Sequence, residues 1–105
     1  MTATKTITLT IVSAIAAFAI GLPAVAKMKG AEFAGDARFS LSAARLAALK
    51  VRPGTITDQE LEKEKGGSGL RYSFDITSQG KPFEVGVDAK TGAILENVAE
   101  ARNPD

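Results

Sequence analysis

The sequence contains no cysteine, no histidine and no tryptophan among its 105 residues. Without cysteine, disulfides, thiolate metal sites, thiol nucleophiles and lipidation of a cysteine are excluded. Without histidine, the chain lacks the side chain that most often serves as a general base or as a ligand for zinc, copper or iron. The formal charge of +1 argues against a nucleic-acid partner, because binding to phosphates normally takes a marked basic excess. We therefore expect a protein that is not an enzyme, with no catalytic residue, no metal and no cofactor.

The first 26 residues differ in composition from the rest of the chain. Lys5 is their single charge, residues 7–22 are uncharged and largely apolar, and residues 24–26 read Ala-Val-Ala. A short positive start, an apolar run and small residues at its end are typical of a secretory signal peptide. We predict cleavage after Ala26, with an uncleaved N-terminal membrane anchor as the alternative. Either version places the remainder outside the cytoplasm, periplasmic or secreted, and cleavage would leave no membrane contact.

The organisation after this leader follows from the pattern of the residues. Residues 27–38 mix charges, glycine and alanine without a sustained hydrophobic period, which indicates a flexible N-terminal segment. The periodic part covers residues 39–98, and residues 99–105 form a polar tail. Removing Lys5 with the leader leaves equal numbers of basic and acidic residues. The few large apolar side chains suffice for one thin two-layer domain.

One helix is predicted from Leu41 to Val51. Ser40 is a good N-cap, and Pro53-Gly54 ends the helix because proline has no amide hydrogen to donate. The apolar face has helical spacing and consists of Leu41, Ala44, Ala48 and Val51, widened by Leu46 and Leu49. An amphipathic helix of this kind needs an apolar sheet face against which to pack.

Two strands are indicated by strict alternation. Apolar and polar side chains alternate from Leu70 to Thr77 and again from Phe83 to Ala89, with a tight turn at residues 78–81 between them. Residues 93–95 could add a short strand or return to cover the core. This pair of segments predicts an antiparallel hairpin.

The stretch from Thr55 to Lys65 is ambiguous. Thr57 and Glu60 fit a capping box and predict a helix, but Ile56 and Leu61 lie five positions apart, which suits neither a helix face nor a strand face. A bulged and highly charged edge strand is the interpretation we favour, because it needs only the loop 66–69 to pair with the next strand. The predicted fold is therefore α+β: one N-terminal amphipathic helix on a three-stranded antiparallel sheet, in the order α-β-β-β, with room for a short C-terminal strand or helix.

The order of these elements resembles the PepSY domain family. The similarity covers residues 39–98 and includes Ala44 and Ala48-Leu49 in the helix, the Pro-Gly break, the Glu60-Leu61-Glu62 stretch and the aromatic strand around Tyr72. Its most specific part is Val87-Asp88-Ala89-Lys90-Thr91-Gly92-Ala93-Ile94, which follows the closing pattern Val-Asp-Ala-x-Thr-Gly-x-hydrophobic of the family. Gly86 departs from the pattern, since a larger strand residue is expected there, and this puts the local strand pairing in question.

PepSY domains occur in propeptides of secreted thermolysin-type metallopeptidases and in bacterial envelope proteins. The resemblance implies an exported, non-catalytic module that binds a protein partner and inhibits or regulates an envelope or secreted peptidase. A structural or sensory envelope component that binds a small ligand or a membrane protein is the alternative. Strand addition to an exposed edge needs no pocket, so we predict partner contacts along residues 55–65, at Thr57, Gln59, Leu61 and Lys63.

Three other groups of residues have simpler explanations than a site. Asp88, Thr91 and Gly92 are typical of a tight turn. Glu60, Glu62 and Glu64 could collect a divalent cation, but they alternate with lysines and favour a solvated edge. The Gly-Gly-Ser-Gly run at residues 66–69 lacks the Lys-Ser/Thr of a phosphate loop and suits a hairpin loop.

Overall fold

The computed structural model describes residues 28–100 of the chain. The predicted signal peptide, residues 1–26, and most of the predicted polar tail lie outside the described residues. The elements in chain order are a 3-10 helix (Ala31–Asp36), α1 (Leu41–Val51), β1 (Thr55–Lys63), β2 (Leu70–Ser78), β3 (Lys81–Asp88) and β4 (Ile94–Ala99). Within this part of the chain, no helix has the length and apolar character needed to cross a membrane.

The sheet is a four-stranded antiparallel meander in the order β1-β2-β3-β4. The predicted α+β class is therefore confirmed, but the prediction of three strands is wrong. The additional strand, β4, pairs Val98 with Glu84 and Asn97 with Val85. The short C-terminal strand that the sequence left open at residues 93–95 is the start of β4. An edge strand needs a partner on one side only and tolerates polar residues, so the polar sequence after residue 95 did not indicate the rest of it.

The charged stretch after the helix forms β1, and a bulge in this strand explains its unusual spacing. The register shifts between Ile56 and Asp58, so that Ile56 lies opposite Ile76 and Leu61 lies opposite Tyr72. One extra residue reverses the alternation of faces. Ile56 and Leu61 therefore share the core side of the sheet although an odd number of positions separates them.

The core lies between α1 and one face of the sheet. The Ser40 Oγ accepts a hydrogen bond from the Ala43 N–H at 3.1 Å, which confirms the predicted N-cap. The buried apolar side chains come from the helix, from three strands, from the turn after β3 and from the segment before the helix: Met28, Leu41, Ala44, Ala48, Leu61, Leu70, Tyr72, Phe74, Ile76, Val85, Val87 and Ala89. Leu46 is 71% exposed, because five helical positions after Leu41 point it away from the sheet. Its predicted place on the apolar face is wrong.

The segment before the helix packs against β1. The Leu61 N–H donates to the Lys29 carbonyl at 2.8 Å, and Met28 is buried in the core. Gly30 has a φ of 85°, and a Cβ at this position would lie 1.7 Å from the Leu61 carbonyl oxygen. No other residue type allows so close an approach of the two backbones. Residues 28–36 are therefore seated on β1, while the flexibility expected for residues 27–38 stays a prediction about solution behaviour.

Candidate partner-binding surfaces

The face of the sheet opposite α1 is not covered by any helix within residues 28–100. The strand alternation places Phe74 and its core neighbours under α1 and turns Ser73 and Asp75 to the other side. The strand register adds residues of β1, β3 and β4 to this second side. We call it the open face.

The open face is rich in carboxylates. The register places on it the side chains of Asp58, Glu60, Glu62, Asp75, Glu84 and Glu96. Burial, and then the charge of neighbouring carboxylates, raise the pKa of Glu60, the pKa of Asp75 and the pKa of Glu84. Carboxylates that are crowded and partly desolvated favour a positively charged partner over water, since a cation relieves their mutual repulsion.

Arg71 is the one basic residue that the register places on this face within residues 28–100. Its Nη1 lies 3.4 Å from Glu96 Oε1, and its Nη2 donates to the Lys65 carbonyl at 3.0 Å. To reach β4 from β2, the side chain crosses β3 above Gly86, where a Cβ would lie 3.3 Å from Nη1. Gly86 pairs regularly with Ser73 of β2, but the pairing with β4 shifts register between Gly86 and Val87, so the irregularity expected from the sequence is present on the β4 side only. The missing side chain leaves room for Arg71.

Three carboxylates of the open face could act as cation ligands. Asp75, Glu84 and Glu100 have oxygens that all lie within 4.8 Å of one another, and divalent cations such as calcium take oxygen ligands of this type. The carboxylates considered as cation ligands from the sequence, Glu60, Glu62 and Glu64, are instead close along the chain. The structural triple comes from three places far apart in sequence, so only the strand pairing could have revealed it.

The four predicted partner-contact residues all lie on or beside β1, but most of their side chains have internal contacts. Arg45 donates to the Gln59 side chain, the Leu61 side chain is 1% exposed, and the Lys63 Nζ lies 4.9 Å from the centre of the Phe33 ring. Thr57 is exposed at the bulge and its hydroxyl donates to the Asp75 carbonyl at 3.2 Å. A partner strand at this edge would meet backbone groups and Thr57 rather than the other three side chains.

Part of the β1 edge already has a strand-like neighbour. Lys29 forms a parallel bridge with Glu60. The Lys29 carbonyl accepts a hydrogen bond from the Leu61 N–H, which points away from β2. A strand of a partner protein could pair with this part of the β1 edge only if residues 28–30 were displaced from it. This contact was not predicted from the sequence, because the segment has no hydrophobic period and Met28 is its only large apolar residue next to β1.

Asp88 joins two loops at one end of the open face. Its carboxylate accepts hydrogen bonds from the Ser68 N–H and hydroxyl at 2.6 and 2.7 Å, and from the N–H groups of Lys90 and Thr91 at 2.8 and 3.0 Å. Burial by itself raises the pKa of Asp88, but these four hydrogen bonds outweigh it and lower the pKa to about 2. The carboxylate is therefore ionised and structural.

These opposite pKa shifts predict a stability maximum in weak acid. The carboxylates with a raised pKa destabilise the folded state when ionised, so stability rises as the pH falls from 7 through their folded pKa values. The lowered pKa of Asp88 acts in the other direction. The folded state loses about 2 kcal/mol of its free energy of unfolding as the pH falls from 3.8 through about 2. Urea unfolding at a series of pH values should show a maximum near pH 4.

The matched variant for this profile is Glu84→Gln, which removes one ionisation and keeps the shape. We expect it to flatten the rise between pH 7 and the maximum and to leave the fall on the acidic side unchanged. A stability that increases steadily up to neutral pH would contradict the raised pKa values on the open face.

One helix on one side of a four-stranded antiparallel meander, with the opposite side open, defines a small α+β module. The chain belongs to the PepSY family, since residues 39–97, more than half of its length, match the family model described as Peptidase propeptide and YPEB domain. The resemblance seen in the sequence is thus confirmed. Domains of this family are generally non-catalytic, associate with peptidases and usually lie outside the cytoplasm. No curated protein and no solved structure matches the chain.

Proposed function

We propose that this chain is an exported, non-catalytic binding module that contacts a peptidase and restrains its activity. The observation that carries the proposal is the open face, a sheet surface that is left uncovered within residues 28–100 and is lined with carboxylates. The family membership and the predicted signal peptide support the class of partner and the location outside the cytoplasm.

The open face suits a partner with a basic surface. Opposite charges on two proteins accelerate their association and fix their relative orientation, and this contribution weakens as salt screens it. The rigid backbone of the sheet keeps Glu60 and Glu84 at fixed positions, so little order has to be gained on binding. Strand addition at β1 is a second route to the same partner, confined to the edge around Thr57 unless residues 28–30 are displaced.

Inhibition of a secreted thermolysin-type metallopeptidase tests this function directly. We expect the purified protein to inhibit the peptidase at low salt, and we expect Glu84→Lys to raise the inhibition constant at least tenfold by placing a positive charge in the centre of the open face. The matched control is Glu32→Lys, which makes the same change of charge on the 3-10 helix and should alter the constant less than twofold.

Two results would count against the proposal. Equal inhibition by the two variants would remove the open face from the interface. A complete lack of binding to peptidases, measured with folded wild-type protein at low salt, would reject the peptidase as the partner.

A further inference from the structure

A groove of about 690 Å³ lies where α1 ends next to the turn between β2 and β3. The residues that line it on the helix side begin with Arg52 and Pro53, and those on the sheet side include Lys81 and Phe83. Two of the lining residues are basic and none is acidic. The groove therefore differs in charge from the open face, and the proposed peptidase contact does not use it.

Arg52 is held in one orientation inside this groove. Its Nε donates to Asn97 Oδ1 at 3.0 Å, and its guanidinium carbon lies 3.8 Å from the centre of the Phe83 ring. Asn97 is fixed in turn, because its Nδ2 donates to the Val51 carbonyl at 3.4 Å. Within residues 28–100, no hydrogen-bond partner is found for the two terminal nitrogens of Arg52. An arginine that is already ordered loses little conformational entropy when it binds an anion.

We propose that this groove binds the C-terminal carboxylate of a peptide whose last side chain is apolar. The guanidinium offers two parallel N–H donors, the geometry that a carboxylate accepts best. The ring of Phe83 touches the same guanidinium, so the anion site and an apolar surface adjoin each other. A C-terminal residue supplies both groups from one Cα, its carboxylate for Arg52 and its side chain for the surface of Phe83 and Pro53.

Charge and size both favour this ligand. Lys81 adds a second positive charge at the groove, whereas the carboxylates of the open face repel an anionic ligand from that surface. The volume exceeds that of a single inorganic ion and lies in the range of sites that hold a small organic group or the last residues of a peptide. An internal Asp or Glu is a poorer fit, since successive side chains of an extended peptide point to opposite sides.

Three short peptides test the assignment by NMR titration of the protein. The probes are acetyl-Ala-Ala-Leu with a free carboxylate, the same peptide with a C-terminal amide, and acetyl-Ala-Glu-Leu-Ala amide, whose only carboxylate is internal. We expect the free carboxylate to shift the signals of Arg52, Lys81 and Phe83, with a dissociation constant at least tenfold lower than that of either amide. Equal binding by the first amide would overturn the need for a carboxylate, and equal binding by the internal glutamate would overturn the C-terminal assignment.

Variants identify the arginine. Arg52→Gln should weaken binding of the free carboxylate at least tenfold, while Lys50→Gln, which removes a neighbouring charge outside the groove lining, should change it less than twofold. Arg52→Lys keeps the charge but removes the parallel donors, and we expect it to bind as weakly as Arg52→Gln. This second variant keeps the test valid if the glutamine variant folds poorly. Wild-type affinity in both Arg52 variants would reject the site. Inhibition of the peptidase should be unaffected by Arg52→Gln, so failure of the groove and failure of the proposed function give different results.

Discussion

Replacement of Asp88 by alanine is expected to lower the free energy of unfolding by about 3–4 kcal/mol, which would leave a large fraction of so small a domain unfolded at 37 °C. Four hydrogen bonds to one buried carboxylate would be lost together. Ser68, Lys90 and Thr91 are exposed residues whose donors could turn to water. The cost therefore comes from the simultaneous loss of four hydrogen bonds to a charged acceptor, which are stronger than hydrogen bonds between neutral groups.

The structural reason is that Asp88 is the common acceptor of two loops. Ser68 belongs to the loop between β1 and β2, whereas Lys90 and Thr91 belong to the turn between β3 and β4. Without the carboxylate, both loops would lose their anchor at the same end of the sheet. We expect amide hydrogens of both loops, and not only of the turn, to exchange faster in the variant.

Urea unfolding and hydrogen exchange of three variants measure this effect. Asp88→Asn keeps the shape but turns one acceptor into a donor, so about half of the loss is expected. Asp36→Ala makes the same substitution as the alanine variant at an exposed position of the 3-10 helix and should stay within about 0.5 kcal/mol of the wild type. A loss below about 1 kcal/mol for Asp88→Ala would show that the four hydrogen bonds do not hold the loops.

Sequence alone predicted the parts of this fold that depend on local pattern. Alternation identified β2 and β3, and a capping serine with a Pro-Gly stop identified α1. The role of Asp88 was predicted in part: its hydrogen bonds to Lys90 and Thr91 are those of the expected turn. The bonds from Ser68 connect positions that are 20 residues apart, and no local pattern encodes them.

The misjudged features share a physical cause, because each depends on a contact across strands. The polar strand β4 forms through its pairing with β3. Glycine is suited to position 86 because the Arg71 side chain crosses β3 there. The groove at the end of α1 also depends on a contact between distant residues, since Asn97 orients Arg52, which is 45 residues earlier in the chain. Periodicity describes which face a residue occupies, but it carries no information about which residue of another strand lies beside it.

Replacement of Phe74 by alanine should have an equally large effect on stability, for a different reason. Phe74 is the largest fully buried side chain of the described residues, at 0% exposure, and it lies at the centre of β2, where its ring stacks near that of Tyr72 with 6.3 Å between centroids. Truncation of a buried phenylalanine removes apolar contact and leaves a cavity, which costs about 3–5 kcal/mol. A thin two-layer core has few other large side chains that could fill the space.

The measurement is the free energy of unfolding in urea, compared with that of Leu46→Ala. Leu46 is 71% exposed on α1, so its truncation removes a similar apolar group without opening a cavity and should change stability by less than about 0.5 kcal/mol. Phe74→Leu keeps most of the volume, and we expect a loss of about 1–2 kcal/mol, which remains measurable if the alanine variant is too unstable to purify. The helix α1 packs on β2 through this core. If Phe74→Ala lowered the free energy of unfolding no more than Leu46→Ala, the placement of the helix on this face of the sheet would be contradicted, and so would the identity of the open face.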